Sequence, residues 1–265
     1  MSELKKHGFT KFNLRKTLKT PSLDKDLTLI TEAFEYLPED SYAKGLNRYR
    51  RYSRAIINPA NKTLDWLPNI EENGVIYSDY FQGAFNPEFI DSYRRFPSIT
   101  QDIKETQLLK DIIMNDYNLT FWKKEELLMP IHVGVHFVKL LVNTEGEIAI
   151  SSPNHLHQDG EPFTFAHLVS RDNVFGGVNA IATPANAGKQ PSDVGSEDLI
   201  VEFTLDSPLE SYGVFDAKVS HYVGEIIKGT EDRPGERSVI LIDFQTTVVP
   251  EPLDEEVKED LLMSV

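Results

Sequence analysis

From residue 131 the chain changes its period. IHVGVHFVKLLVN, residues 131–143, alternates with a period of two and is rich in β-branched residues, the pattern of a strand with one buried face. EPFTFAHLVSR, VNAIATP, LIVEFTL, SYGVFDAKVSHYV and RSVILIDFQTTVV follow. The turn-forming stretches NTEGE, DNVFGG, PANAGKQPSDVGS and KGTEDRPGE separate them. Short strands at this spacing predict a barrel or jelly roll. The expected fold is mainly β with an α elaboration, built on a double-stranded β-helix, the cupin-like jelly roll.

The first 125 residues read differently. PSLDKDLTLITEAFEYLPED predicts a helix capped by Ser22 and stopped before Pro38. KGLNRYRRYSRAIIN is ambiguous between strand and coil. SITQDIKETQLLKDIIMNDYN predicts a helix with Thr100 at its N-cap and a buried face of Ile103, Leu108, Leu109, Ile112 and Ile113. No Pro/Ser/Gly linker marks a boundary near residue 125. The chain is therefore read as a single domain over residues 1–265. A partly helical region 1–125 packs on a jelly-roll core 126–250, and an acidic segment 251–265 follows. Leu253, Val257 and Leu261, four apart, make that segment either a short amphipathic helix or a frayed tail.

Composition narrows the function. The chain has no cysteine, so disulfides are excluded, a cytoplasmic location is expected, and any metal takes nitrogen and oxygen ligands. A net charge of −15 argues against nucleic acid and anionic membrane surfaces as partners. No run of 18 apolar residues spans a bilayer, and the N-terminus lacks the apolar stretch of a signal peptide.

The stretch SSPNHLHQDGEPFTFAHL, residues 151–168, holds three of the seven histidines. His157 and Asp159, two apart in an extended chain, face the same side and can reach one cation. His221, on a later strand, completes a set of two histidines and one carboxylate. That set leaves coordination positions open, as in non-haem Fe(II) oxygenases. Such a site needs an oxidisable cosubstrate. 2-Oxoglutarate would chelate the metal through its keto-acid end, and its far carboxylate needs a cation. Arg237 opens the last strand and fits that role, with the Ser238 hydroxyl as a second donor. Two other readings stay open. His155, also two from His157, could join His157 and His221 in a zinc site serving a jelly-roll hydrolase or isomerase. A barrel that binds a small molecule without chemistry is the third. His136 is ambiguous between core and pocket, and Phe163 and Phe165 between pocket wall and core.

The segment SSPNHLHQDGEPFTFAHL, taken with VFGGVNAIA, AKVSHYV and ERSVILIDF, resembles the small bacterial iron/2-oxoglutarate dioxygenases that hydroxylate free L-amino acids, the L-isoleucine dioxygenase-like family. The resemblance covers roughly residues 45 to 248 and is strongest after residue 130. It carries the run S-P-x-x-L-H-x-D-x-E-P onto Ser152, Pro153, Leu156, His157, Asp159, Glu161 and Pro162. It carries the distal histidine onto His221 and the cosubstrate arginine onto Arg237. YSR at 52–54 and GVHFVK match more loosely. The resemblance implies Fe(II) as cofactor, 2-oxoglutarate and O₂ as cosubstrates, and a free L-amino acid as substrate. For such a substrate Arg54 is expected at the α-carboxylate and Glu161 at an ammonium group, with Tyr52 and His167 also at the substrate. Gly160 departs from the family, where the isoleucine enzymes have an acidic residue, and the loop TPANAGKQPSDVGSEDL also differs. The chain is similar as well to lysine 4-hydroxylases of glidobactin-type biosynthesis. L-Lysine, hydroxylated at C4, is the first expectation; leucine, isoleucine and citrulline follow.

Overall fold

The computed structural model describes residues 2–81, 93–151 and 153–247. Ser152 and the acidic segment 251–265 lie outside the described residues. The chain begins with α1 (Glu3–His7), β1 (Phe9–Asn13), α2 (Leu14–Thr17) and α3 (Leu23–Glu35). Strands β2 (Arg48–Asn58), β3 (Thr63–Trp66), β4 (Ile70–Glu72), β5 (Val75–Phe81) and β6 (Tyr93–Pro97) come next, then α4 (Gln101–Lys104) and α5 (Gln107–Leu119). The later strands are β7 (Ile131–Val142), β8 (Ile148–Ala149), β9 (Phe163–Asp172), β10 (Val174–Gly176), β11 (Asn179–Ala182) and β12 (Leu199–Phe203). They end with β13 (Glu210–Phe215), β14 (Ser220–Val223), β15 (Ile226–Lys228) and β16 (Gly235–Thr246).

The helices depart from expectation at their starts. Ser22 makes no side-chain bond to the backbone; its hydroxyl donates to Asp26 Oδ2 at 2.7 Å instead. The stretch expected as one helix from Thr100 is two. Thr106 caps the second by accepting from Leu109 N at 3.4 Å, and Asp26 reaches across from α3 to accept from Leu108 N at 3.0 Å. Two acceptors at one helix start satisfy backbone donors that would otherwise be buried and unpaired.

Seven antiparallel strands form a large sheet in the order β1-β13-β9-β16-β7-β2-β3. Three-stranded sheets β10-β15-β8 and β12-β11-β14 close the barrel over one face, and β4-β5-β6 forms a separate sheet. The ambiguous stretch RYRRYSRAIIN is β2, in register with β7 from Arg48↔Leu140 to Ile57↔Ile131. The N-terminal region thus supplies three strands of the large sheet as well as its helical cover.

Strand alternation sorts the large sheet into two faces. The outer face carries Ile131, Val133, Val135 and Phe137 of β7, Phe163 and Phe165 of β9, and Ile240, Ile242 and Phe244 of β16. It packs on Ile30 and Phe34 of α3 and Leu108, Leu109, Ile112 and Ile113 of α5. Phe34 stacks on Phe137 with ring centroids 4.7 Å apart. Each such aliphatic or aromatic side chain contributes about 1.5–3 kcal/mol on burial. The inner face carries Val138, Ala166, Leu168 and Val239 against Ile181 of β11, and Leu140 and Val142 against Ala149 and Ile226. Between these apolar ends its middle is polar.

His167 belongs to the outer face, which corrects its assignment to the substrate. It shares parity with Phe163 and Phe165 and is fully buried under α5. Nε2 pairs with Asp116 Oδ2 at 2.7 Å and Nδ1 with Ser211 Oγ at 2.9 Å. This imidazole pins a helix to the sheet.

Candidate active site

His157 and His221 face each other across an isolated antiparallel bridge. Each amide donates to the other's carbonyl at 2.9 Å, and the ring centroids lie 4.3 Å apart. A reciprocal bridge of this kind puts both side chains on one face. β14 carries His221 and is itself fixed by pairing with β11, Ile181 opposite His221. The His157 Nδ1–H donates to the His155 carbonyl at 2.9 Å, so Nε2 keeps its lone pair, the usual outer-shell arrangement for a ligating imidazole.

Asp159 follows on a turn held by another carboxylate. Asp216 accepts from Asp159 N at 2.9 Å and from Gly160 N at 3.0 Å. Gly160 has φ +84°, a left-handed conformation that favours glycine, which gives a physical reason for the departure at this position. Thr164 donates to Asp159 Oδ2 at 3.0 Å. One ligand atom from each of His157, Asp159 and His221 lies within 4.8 Å of the others. Asp159 Oδ1 is 3.5 Å from His157 Nε2 and Oδ2 is 3.1 Å from His221 Nε2. Yet His221 Nε2 has no hydrogen bond of good geometry. Burial alone would raise the Asp159 carboxyl, but His221 and His157 outweigh it and hold it well below the usual carboxylate range. Two imidazole nitrogens and one ionised oxygen converge here, with the buried His221 Nε2 left without a hydrogen-bond partner and no thiol in the chain. These residues fit Fe(II) in the facial arrangement of two histidines and a carboxylate. His155 stays outside the group, its ring centroid 6.4 Å from that of His157, so the three-histidine zinc arrangement is not formed.

Two cavities meet at Asp159. The first, a cavity of about 90 Å³, is lined by His157, Asp159, His221, Tyr212 and Arg237 with Ala166, Val223, Val239 and Leu241. Arg237 is 3% exposed, its Nε has no hydrogen-bond partner, and burial lowers its guanidinium to about 10. The buried Tyr212 phenol lies beside it, raised to about 12 by burial. Arg171 is Arg237's cross-strand neighbour and donates to the Gly176 carbonyl at 2.9 Å. Ser238 does not line this cavity. It pairs with Lys139 and follows that residue's parity, on the face opposite Arg237. Tyr212, rather than Ser238, is the polar neighbour of the arginine.

The second cavity is lined by Arg48, Arg50, Tyr80, Arg94, His136, Val138, Glu161 and Asp243. It shares Ser151, Asp159, Thr164 and Leu241 with the first. Burial, then Asp243 and Asp159, raises Glu161 well above the usual carboxylate range. Burial likewise raises Asp243 to about 6. Burial, with Arg50 and Arg94, lowers His136 well below its ordinary value. Of the residues expected at the substrate, Glu161 lines this cavity. Tyr52 is wholly buried behind its wall, 4.4 Å from the His136 ring and 4.9 Å from that of Tyr80. Arg54 lies beyond the cavity on β2, opposite Gly134.

A family model described as 2OG-Fe dioxygenase matches residues 31–243. The chain belongs to this family. It is therefore an Fe(II)/2-oxoglutarate-dependent dioxygenase, and His157, Asp159 and His221 are consistent with its facial triad. This dioxygenase is 30% identical to L-isoleucine-4-hydroxylase of Bacillus thuringiensis over 226 residues, 82% of this chain and 83% of that one. It is 27% identical to 3(1)-hydroxy-L-isoleucine 4-dioxygenase of Pantoea ananatis over 234 residues, 83% of this chain and 81% of that one. The crystal structure of IDO from Bacillus thuringiensis superposes with a TM-score of 0.70 at 23% identity, covering 93% of each chain, so the jelly-roll fold is shared. Among the described residues no helix is long and apolar enough to cross a membrane.

Sequence reasoning missed Tyr80 and Arg94, on the β5–β6 hairpin, and Arg50 on β2. The available signal was the parity of Arg48, Arg50, Tyr52 and Arg54, all on the inner face of one strand.

Proposed function

We propose that this dioxygenase hydroxylates an unactivated C–H bond of a free L-amino acid, with a branched aliphatic side chain of the isoleucine or leucine kind. One observation carries the reading. The cavity that meets Asp159 from the side away from Arg237 is walled by both guanidiniums and carboxylates, with Val138 and Leu241 as apolar surface. A zwitterionic head with an aliphatic tail matches that wall, and the named relatives act on such molecules. In the other cavity Arg237 pairs with the far carboxylate of 2-oxoglutarate, the Tyr212 hydroxyl supplies a second contact, and Val239 and Ala166 exclude water. With Fe(II) and 2-oxoglutarate bound, O₂ is consumed, succinate and CO₂ leave, and one oxygen atom enters the substrate. The protein contributes binding and orientation.

A second reading is L-lysine at C4. Asp243, a second buried carboxylate on the same wall as Glu161, favours it, because a substrate with two ammonium groups needs two acceptors. The test incubates protein loaded anaerobically with Fe(II) with O₂, 2-oxoglutarate and each of the twenty L-amino acids. Succinate and a one-oxygen mass gain are read together. A gain with isoleucine or leucine supports the first reading and a gain with lysine alone the second. Succinate with no amino acid gaining oxygen refutes both.

A further inference from the structure

The geometry points to Arg50 as the anchor of the substrate's α-carboxylate and Glu161 as the acceptor of its α-ammonium group. This inference rests on the amino-acid reading above and adds the residues that hold the head group. A zwitterion entering a buried cavity loses the hydration of both charges, so each charge needs a fixed partner there.

Four arginines or tyrosines of β2 point inward, and their surroundings separate them. Arg48 is already neutralised by Asp40, at 2.8 Å through one terminal nitrogen and 2.9 Å through Nε. Arg54 lies past the cavity, and Tyr52 is sealed behind it. Arg50 lines the cavity, is 8% exposed, makes no ion pair among the described residues, and has an Nε without a hydrogen-bond partner. Its plane is held against Phe96, with the guanidinium carbon 4.4 Å from the ring centroid. One terminal nitrogen donates to His136 Nδ1. A guanidinium only donates, so Nδ1 accepts and the imidazole proton sits on Nε2, which donates to Asp243 Oδ2 at 2.8 Å. A neutral imidazole therefore aims the arginine without neutralising it. Arg94 lines the same cavity, 4.7 Å from the Tyr80 ring, so one carboxylate can lie between two cations.

Glu161 is 3% exposed and accepts from the Tyr80 hydroxyl at 3.2 Å. It stands two residues after Asp159, across the Gly160 turn. The head group is thereby held at both of its charges. The side chain is left to run along Leu241, which walls both cavities and leads to the metal ligands.

The test compares wild type, Arg50→Met, Arg50→Lys and Glu161→Gln on the amino acid that wild type turns over. Each protein is also loaded with Zn(II) and its thermal shift with 2-oxoglutarate measured, which reports folding and cosubstrate binding without turnover. The expected result for Arg50→Met is a KM raised at least about 30-fold with the cosubstrate shift retained, in keeping with loss of one partner of a desolvated charge pair. Arg50→Lys recovers part of that loss. Wild type discriminates against the 2-hydroxy acid analogue, and Glu161→Gln loses most of that discrimination. Unchanged KM in Arg50→Met, or unchanged discrimination in Glu161→Gln, overturns the head-group assignment alone. A wild type that turns over none of the twenty amino acids overturns the amino-acid reading, and this assignment with it.

Discussion

Arg237 offers a prediction in which function and stability oppose each other. Its guanidinium is buried, carries an unpartnered Nε, and is held down to about 10, well below its ordinary value, first by burial and then by Arg171 against the opposing pull of Tyr212. Each factor of ten in proton affinity corresponds to about 1.4 kcal/mol, so keeping this charge without its anion costs about 3 kcal/mol. Arg237→Met keeps most of the volume and removes the charge. Some of the gain is lost with the contacts the guanidinium makes, so a net stabilisation of about 1–3 kcal/mol is expected, as when other buried charges are replaced by apolar residues. At about 2–4 °C per kcal/mol for a chain of this size, the melting temperature of the metal-free protein rises by about 2–12 °C. The same variant loses the rise that 2-oxoglutarate produces in Zn(II)-loaded wild type, where a ligand at a hundred times its Kd adds about 2.7 kcal/mol. Differential scanning calorimetry of both proteins, with and without 2-oxoglutarate, reads both effects. A less stable variant, or one that keeps the cosubstrate shift, refutes the reasoning.

Three further outcomes follow from buried polar groups. Lys104 is 2% exposed, donates to Ser98 Oγ at 2.9 Å, and is lowered to about 8 by burial. The folded state gives up this proton before the unfolded state does, so stability should rise between about pH 8 and 10.5. Lys104→Met should flatten that slope in pH-dependent denaturant melts and stabilise the protein at pH 7 by about 1–2 kcal/mol after allowance for solvent screening. Asp116→Ala leaves His167 buried without its carboxylate and should cost about 2–4 kcal/mol, with Fe(II) affinity unchanged in an anaerobic titration. Gly134→Ala would place a methyl 2.7 Å from Asp243 Cγ. The displaced carboxylate should release His136, costing about 1–3 kcal/mol in urea melts and raising the amino-acid KM.

The parts legible in the sequence are those governed by local period and spacing. Alternation over residues 131–143 defines β7, and the apolar spacing from Ile103 to Ile113 defines the buried helical face. The pair His157 and Asp159 needs only an extended backbone to share a face, and His221 is brought opposite by a bridge at the start of a readable strand. The errors concern which face, and how far along. His167 follows the parity of Phe163 and Phe165 and so turns to the helices, a signal present in the sequence. Ser238 misses the cavity for the same reason, one residue from Arg237. Arg54 shares the inward parity and lies beyond the cavity. Where the cavity lies along β2 depends on its register with β7 and on the β5–β6 hairpin, which brings in Tyr80 and Arg94. Such non-local pairing leaves little trace in the local pattern of one strand.

The central claim is a ferrous site made by His157, Asp159 and His221, and anaerobic titration with Fe(II) tests it most directly. Wild type should bind one Fe(II) per chain. Asp159→Ala and His221→Ala should lose that binding while keeping a native circular-dichroism spectrum, and His155→Ala should retain it, because only its backbone carbonyl supports His157. Stoichiometric Fe(II) in Asp159→Ala, or its loss in His155→Ala, would contradict the account.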